Sequence, residues 1–278
     1  MDEGIPLIDR NPTTREKKFI SNLISIFFDG EGVSRLSEKG VDLYYPNYTQ
    51  IERVIAEMVG GFTVESKLKF DILVNLPNNK MLGVEVKSKG FSRNDYRAIL
   101  SGEGRLYLEL NNSPAKQHQW LRDNGISLEV SNRADFDPKV IGEHLLDLYD
   151  NWNEEDGFKT GSEYSRTFEL ERSRFIVLSY QKKNLSTDTE GKPKVSFYIS
   201  SLKLNFKREG IKWFWNSDKC LRGTDADNGT LYDWYPFSGG QFKFYPLAKE
   251  SDFSSEEIIV RIPPFRSLRS KAIELFGE

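Results

Sequence analysis

Three charged residues, Asp71, Glu85 and Lys87, lie in two short segments that otherwise consist mostly of strand-forming apolar residues. Two neighbouring carboxylates can bind a divalent cation such as Mg²⁺, which prefers oxygen ligands and keeps several of its waters. A lysine beside them can orient a water molecule and offset charge on a phosphate group. Metal, ordered water and cation are what phosphodiester hydrolysis requires, so these residues form the candidate catalytic group.

The two segments, residues 68–74 and 81–87, predict a β-hairpin. Both are rich in strand-forming residues, and residues 77–79 between them are the turn sequence Pro-Asn-Asn. A three-residue loop would place Asp71 directly opposite Glu85, with Cβ atoms roughly 4.5–5.5 Å apart. Like charges at that distance are destabilising, so the pair needs a compensating cation.

The alternation of side chains along each strand predicts which face of the hairpin is buried. With Asp71 opposite Glu85, two apolar trios share one face, and the charged residues, including Lys69, share the other. A shift by one residue would bury Glu85 and Lys87 instead, so the apolar pattern favours this register. We therefore expect the charged group on a solvent-facing side. The apolar trios are Phe70, Ile72 and Val74 on the first strand and Leu82, Val84 and Val86 on the second.

Asp71, a turn and then Glu85-Val86-Lys87 resemble the Asp…(Asp/Glu)-x-Lys signature of the restriction-endonuclease-like nuclease superfamily. The resemblance covers residues 45–130, with Phe70 where the family usually has proline. It implies that Asp71 and Glu85 bind Mg²⁺, for which Mn²⁺ substitutes, and that the backbone carbonyl of Val86 is a further ligand. It also implies that Lys87 assists the attacking water.

Members of this superfamily often have a further glutamate on the helix that precedes the hairpin. Residues 48–59 predict that helix, and it offers two candidates for an auxiliary acid, Glu52 and Glu57. Glu52 has a competing role, because Thr49 followed by Glu52 is a capping-box pattern. The predicted buried stripe consists of Ile51, Val54, Ile55 and Met58.

The tripeptide of an acid, any residue and lysine is by itself a weak signal, since it occurs five times in this chain. Only the copy at Glu85 lies in an apolar strand and follows a strand with an acid on the same face. The alternative interpretation is a hairpin whose solvent-facing side holds Lys69, Asp71, Glu85 and Lys87 as ordinary cross-strand ion pairs.

The whole pattern predicts an α/β (α+β) protein with a restriction-endonuclease-like core, in which helices flank a mixed central β-sheet, and a β-rich C-terminal half. A polar stretch over residues 153–161 separates the halves. We predict a catalytic core over residues 1–155, and a second half over residues 156–278 that serves DNA recognition, dimer contact or both. Whether the two halves share one sheet stays open.

Among nucleases with this signature, the length of the chain favours a type II restriction endonuclease, which cuts double-stranded DNA at a specific sequence, commonly as a homodimer. The alternatives are another nuclease of the superfamily, acting in repair, recombination or junction resolution, and a non-catalytic DNA-binding or structural protein with an ion-paired hairpin. The candidate DNA-contacting residues are Ser88, Lys89, Ser92, Arg93, Arg172, Arg174, Lys182 and Lys183.

The charge of the chain neither requires nor excludes a nucleic-acid partner. The formal net charge is −3, which argues mildly against one. Residues 161–220, however, hold 12 Lys and Arg against 7 Asp and Glu, a local excess of five positive charges. This distribution is compatible with a basic cleft on an acidic protein.

Composition excludes several other classes of function. Cys220 is the only cysteine, which excludes an internal disulfide, and with only two histidines a zinc site is not expected. No apolar run approaches the ~20 residues of a membrane helix. No G-x-x-x-x-G-K-[ST] motif occurs, so we expect no nucleotide cofactor. Residues 1–4 are acidic and lack a secretory pattern, so we expect a cytoplasmic protein without a membrane partner.

Overall fold

The computed structural model describes residues 4–27, 34–38, 41–45, 47–64, 69–110, 113–181, 186–187, 193–227, 229–262 and 273. Within these ranges it contains five α-helices and fifteen strands. The helices are α1 (Thr14–Ile26), α2 (Tyr48–Val59), α3 (Arg93–Leu100), α4 (Pro114–Asp123) and α5 (Pro138–Glu163). The strands are β1 (Ser34–Glu38), β2 (Val41–Tyr45), β3 (Phe62–Thr63), β4 (Ile72–Leu76), β5 (Lys80–Phe91), β6 (Leu108–Glu109), β7 (Thr167–Phe168), β8 (Arg174–Gln181), β9 (Ser186–Thr187), β10 (Pro193–Lys203), β11 (Lys212–Ser217), β12 (Cys220–Thr224), β13 (Thr230–Tyr235), β14 (Gln241–Phe244) and β15 (Phe253–Arg261).

A mixed eight-stranded sheet forms the centre of the molecule. Its main order is β15-β10-β8-β5-β4-β3, and β7 and β9 pair with β5 and β10. Strand β5 pairs antiparallel with β4 on one side and parallel with β8 on the other. A second sheet, β11-β12-β13-β14-β6, is antiparallel throughout. The predicted mixed α/β class is confirmed at this level, and the strands of the second sheet lie mainly in the C-terminal half.

The two halves of the chain exchange strands between the sheets. Strands β8, β10 and β15 come from the second half and join the sheet of the β4–β5 hairpin, whereas β6 comes from the first half and joins the second sheet. Helix α5 runs through the predicted boundary, so residues 153–161 are helical and not a connecting segment. Gly157 permits this helix to pack closely, because a Cβ there would lie 2.8 Å from the Phe168 ring.

The eight-stranded sheet lies between two apolar cores, one on each face. One core joins α1 and α2 to the sheet through residues such as Ile24, Ile55 and Val84. The other joins α5 and the second sheet to the opposite face and includes Tyr149 and Trp234. The prediction that one face of the hairpin is open to solvent was therefore wrong, since layers of structure cover both faces.

The register of the hairpin agrees with the prediction. Leu73 pairs with Gly83 and Leu76 with Lys80, so Asp71 comes opposite Glu85 at the end of the ladder. The prediction for Phe70 was wrong: it belongs to the core on the α5 side. The chain bends at Asp71 before β4 begins, so strand alternation does not extend to Phe70. The Phe70 ring packs over Gly83, where a Cβ would lie only 2.3 Å from the ring.

The sequence prediction for helix α2 is confirmed. Helix α2 has the predicted bounds, and all four residues of its predicted apolar stripe are buried. Residues 126–130 form no strand, although Ile126 and Leu128 are buried. Within the described ranges, no helix combines the length and the apolar character that crossing a bilayer requires.

Candidate functional site

The carboxylate of Asp71 lies where strands β4 and β5 separate. The Asp71 N–H donates to the Val84 carbonyl at 3.0 Å, next to the last paired residues of the ladder, Ile72 and Val84. Beyond it, the Val86 N–H donates to Asp71 Oδ2 at 2.7 Å, so a side chain takes the place of the next backbone acceptor. This contact fixes the carboxylate at the open end of the hairpin. Burial raises the pKa of Asp71, while the Val86 N–H and Lys87 oppose that shift.

Glu85 is buried between two lysine ammonium groups. Its side chain is 4% exposed; Oε1 lies 2.7 Å from Lys87 Nζ, and Oε2 lies 3.5 Å from Lys69 Nζ. Oε2 makes no hydrogen bond to the described part of the chain. Burial alone would raise the pKa of Glu85, but the two lysines outweigh it and hold the pKa below its usual range. Glu85 is therefore a charged carboxylate in the interior of the protein.

Lys69 is as deeply buried as the carboxylate that it faces. Its side chain is 3% exposed, and Nζ lies 5.4 Å from the centroid of the Phe175 ring. Nζ donates to the side-chain oxygen of Asn153 on α5, and Asn153 in turn donates to the Leu204 carbonyl at 3.0 Å. Burial lowers the pKa of Lys69, and Glu85 partly restores it.

Lys87 is the cation at the more open side of the site. Burial alone would lower the pKa of Lys87, but Glu85, Asp71 and Glu109 together raise it above its usual value. Lys87 therefore stays protonated at neutral pH. It can orient a water or stabilise negative charge, but as an ammonium it has no lone pair with which to accept a proton.

Glu52 and Glu57 differ in their surroundings on α2. The cap of α2 is Asn47, whose side chain accepts from the Gln50 N–H, so the predicted capping role of Glu52 with Thr49 was wrong. Glu52 is half-buried, and burial together with the nearby charge of Asp71 raises its pKa to about 7. Glu57 is exposed on another side of the helix. Of the two candidate auxiliary acids, only Glu52 lies within electrostatic range of the hairpin.

The ligand types at this site fit Mg²⁺, but their present arrangement is that of an ion-paired cluster. Glu52, Asp71 and Glu85 offer the hard oxygen donors that Mg²⁺ prefers. Both oxygens of Glu85 face lysines, however, and in the described part of the chain no three acidic, histidine or cysteine side chains are grouped as a metal site. Metal binding at Glu85 Oε1 would require Lys87 to move away from that oxygen.

Four of the candidate DNA-contacting residues follow Lys87 along the chain. Ser88 and Lys89 lie on β5, which is longer than predicted, and the Lys89 Nζ lies 4.0 Å from the centroid of the Tyr107 ring. Ser92 is the N-cap of α3, and its side chain accepts from the Asp95 N–H. Arg93, at the start of α3, is exposed. These residues lie on one path that leads away from the candidate site.

Arg172 and Arg174, the candidate DNA-contacting residues of the second half that the structure describes, are engaged in other interactions. Arg174 is buried and donates to the carbonyls of Ile8 and Glu171, so it holds the N-terminal segment and is not available to a phosphate. Arg172 forms ion pairs with Asp9 and Glu169. Both had been predicted from charge alone, which does not reveal burial or pairing. Lys182 and Lys183 lie outside the described residues.

Two residues of this cluster had no functional role in the sequence prediction. Lys69 was placed on the charged face without a role, and Asn153 was assigned to the polar stretch between the halves. A signal for Asn153 existed: it follows Leu145, Tyr149 and Trp152 at spacings that continue the buried side of α5. No comparable signal distinguishes Lys69 from a surface lysine.

Comparisons of this chain with protein-family models, with curated proteins and with solved structures find no match. The resemblance to the nuclease superfamily therefore depends on the hairpin residues and their arrangement.

Proposed function

We propose that this protein is a Mg²⁺-dependent nuclease that hydrolyses phosphodiester bonds in DNA. The main support is that Asp71, Glu85 and Lys87 lie together where the strands of one hairpin separate, and that the charges of Asp71 and Lys87 act on Glu52 of helix α2. Buried and half-buried charged groups are costly to maintain, and a bound ligand would offset that cost. A divalent cation would bind the acids, and a phosphate would pair with Lys87.

The proposed roles follow from position and charge. Asp71 and Glu85 would hold the metal, with Glu52 as the third acid and the Val86 carbonyl as a further candidate ligand. When bound, Mg²⁺ would polarise the phosphate and activate a water. Lys87, which stays protonated, orients that water and stabilises negative charge on the phosphate oxygens. Glu52 must lose its proton before it can act as a ligand, because its pKa is raised to about 7.

The DNA would extend from Lys87 along the outer part of β5 toward α3. Lys89 continues the strand on the same face as Lys87, and exposed Arg93 lies beyond it. Positive side chains on such a path contact phosphates and position the substrate. We further propose double-stranded DNA as the substrate, a sequence-specific cut of the type II restriction class, and a homodimer on DNA; these finer points depend on the resemblance alone.

A non-catalytic role is the second candidate, and one observation favours it. Lys69, Glu85 and Lys87 form a paired cluster with one another. A cluster of this kind could be purely structural in a DNA-binding protein that retains the nuclease arrangement without its activity. The two functions differ in one measurable property, which is metal-dependent strand cleavage.

The deciding experiment is incubation of the purified protein with supercoiled plasmid in Mg²⁺ or in EDTA. We expect cleavage in Mg²⁺ and none in EDTA, and discrete fragments would show sequence specificity. Lys87→Met should abolish cleavage, while Lys80→Met, on the same strand but ion-paired to Glu169 at the surface, is the matched control. Binding of DNA without cleavage in Mg²⁺ or Mn²⁺ would favour the non-catalytic role.

A further inference from the structure

Four of the charged groups at the hairpin balance one another. Asp71 and Glu85 supply two carboxylates, and Lys69 and Lys87 supply two ammonium groups. A divalent cation added to these four groups would leave an excess of two positive charges in a poorly solvated place, or of one once Glu52 has lost its proton. Such an excess is unfavourable at low effective dielectric, so the free protein should bind divalent cations weakly.

Lys69 and Lys87 differ in exposure and in how firmly their side chains are held. Lys87 is 24% exposed and can turn toward a phosphate, whereas Lys69 is 3% exposed and is held between Asn153, Glu85 and the Phe175 ring. Apolar residues can often replace a buried ion pair without loss of stability. A lysine at this position therefore calls for an explanation beyond packing.

We propose that Lys69, held by Asn153, is a positioning residue that supplies part of the positive charge at Glu85. It thereby keeps metal affinity low until an anionic phosphate chain is also bound. The inference depends on the proposed nuclease function, and it assigns to Lys69 a coupling between metal and substrate. Each phosphate brings negative charge to the site, so metal and DNA should each strengthen the binding of the other.

The test is a thermal-melting titration of metal-free protein with Ca²⁺ alone and with Ca²⁺ plus a short DNA duplex. In the wild type we expect weak Ca²⁺ binding that strengthens at least about tenfold when the duplex is present. Lys69→Met removes one buried positive charge, so its affinity for Ca²⁺ alone should rise at least about tenfold. Lys69→Arg keeps the charge and should resemble the wild type, as should the surface control Lys80→Met.

A second variant covers the case in which Lys69→Met does not fold. Asn153→Asp has nearly the same volume and adds a negative charge beside the Lys69 ammonium, so it should also tighten binding of Ca²⁺ alone. Ca²⁺ affinity equal to that of the wild type in the folded variants would overturn the inference. If the wild type cuts DNA in Mg²⁺ while Lys69→Met gains no affinity, only the role of Lys69 fails. If Lys69→Met gains affinity but the wild type cuts no DNA, the proposed function fails and the role of Lys69 in metal binding stands.

Discussion

Two groups of cross-strand charges in this molecule look alike in sequence but differ in structure. In the second sheet, Arg222, Asp233, Lys243 and Glu109 are directly opposed on four neighbouring strands. Arg222 donates to both oxygens of Asp233, at 2.7 and 3.0 Å, so that carboxylate is fully paired. At the hairpin, Glu85 Oε2 has no hydrogen bond among the described residues, and Glu52 has a raised pKa.

Completeness of pairing separates the structural charges of the second sheet from the candidate functional charges of the hairpin. The pair of Arg222 and Asp233 has two hydrogen bonds of good geometry, and Arg222 is 27% exposed, so water can satisfy its remaining donors. The hairpin cluster is more deeply buried and includes a carboxylate at a strand end where the ladder is interrupted. Incomplete pairing in a buried place is costly, and it is tolerated where a ligand completes the site.

The largest effect is expected for Glu85→Gln, which tests how strongly the buried cluster depends on its central carboxylate. The change leaves Lys69 buried without its counter-charge, so we expect a loss of about 3–5 kcal/mol in the free energy of unfolding. Asp233→Asn should cost less, about 2 kcal/mol, because Arg222 can turn toward solvent. Urea unfolding of both variants measures this comparison, and equal losses would mean that the two clusters are energetically alike.

The next effect concerns the pH dependence that Glu52 should impose. Its carboxyl is neutral below its folded pKa of about 7, so cleavage should increase as the pH rises through 7. Stability should change in the opposite direction. Because the folded pKa lies above the unfolded value, the neutral form stabilises the fold at low pH, and this contribution is lost between about 4.3 and 7.

Glu52→Gln is the variant that isolates this behaviour. It should reduce cleavage by about 10–100-fold and remove both the rise in activity and the fall in stability across that pH range. Glu57→Gln, on the exposed side of the same helix, is the matched control and should behave like the wild type. A pH profile unchanged by Glu52→Gln would exclude this glutamate from the site.

The smallest effect is expected along the proposed DNA path. Lys89→Gln should lower the slope of log affinity against log salt concentration by about 0.9, the value for one phosphate contact. Arg222→Gln, which removes a positive charge from the second sheet, should leave the slope unchanged because Arg222 is committed to Asp233. A reduced slope for Arg222→Gln alone would move the DNA-binding surface to the second sheet.

Much of the hairpin could be predicted from the sequence because its signals are local. Two apolar segments, a Pro-Asn-Asn turn and positive φ angles near 58° at Asn78 and Asn79 determine the register, and Asp71 comes opposite Glu85 as expected. Helix α2 could be predicted for the same reason. The capping residue was wrong, because Asn47 and Gln50 form as good a capping box as the pattern at Thr49.

The environment of the site could not be predicted, because it depends on contacts between distant parts of the chain. The core on the α5 side of the eight-stranded sheet covers the charged face of the hairpin. This core forms only because α5 and the second sheet pack there, and the sequence does not indicate that contact. Asn153 is 84 residues from Lys69, so their pairing follows from the fold alone. The apolar pattern does not indicate strands β12 and β13, because charged residues on one of their faces, such as Arg222 and Asp233, interrupt it.

The rates of Mg²⁺-dependent DNA cleavage by Asp71→Asn and Asp233→Asn distinguish a catalytic carboxylate from a structural one. Both changes remove one carboxylate charge, one at the separated end of the hairpin and one in the fully paired cluster of the second sheet. We predict that Asp71→Asn cleaves at least about a thousandfold more slowly than the wild type, because metal-ion stabilisation of the transition state amounts to several kcal/mol. Asp233→Asn should retain wild-type cleavage at a temperature where it is folded. Equal rates for folded Asp71→Asn and wild type would show that the hairpin carboxylate takes no part in cleavage.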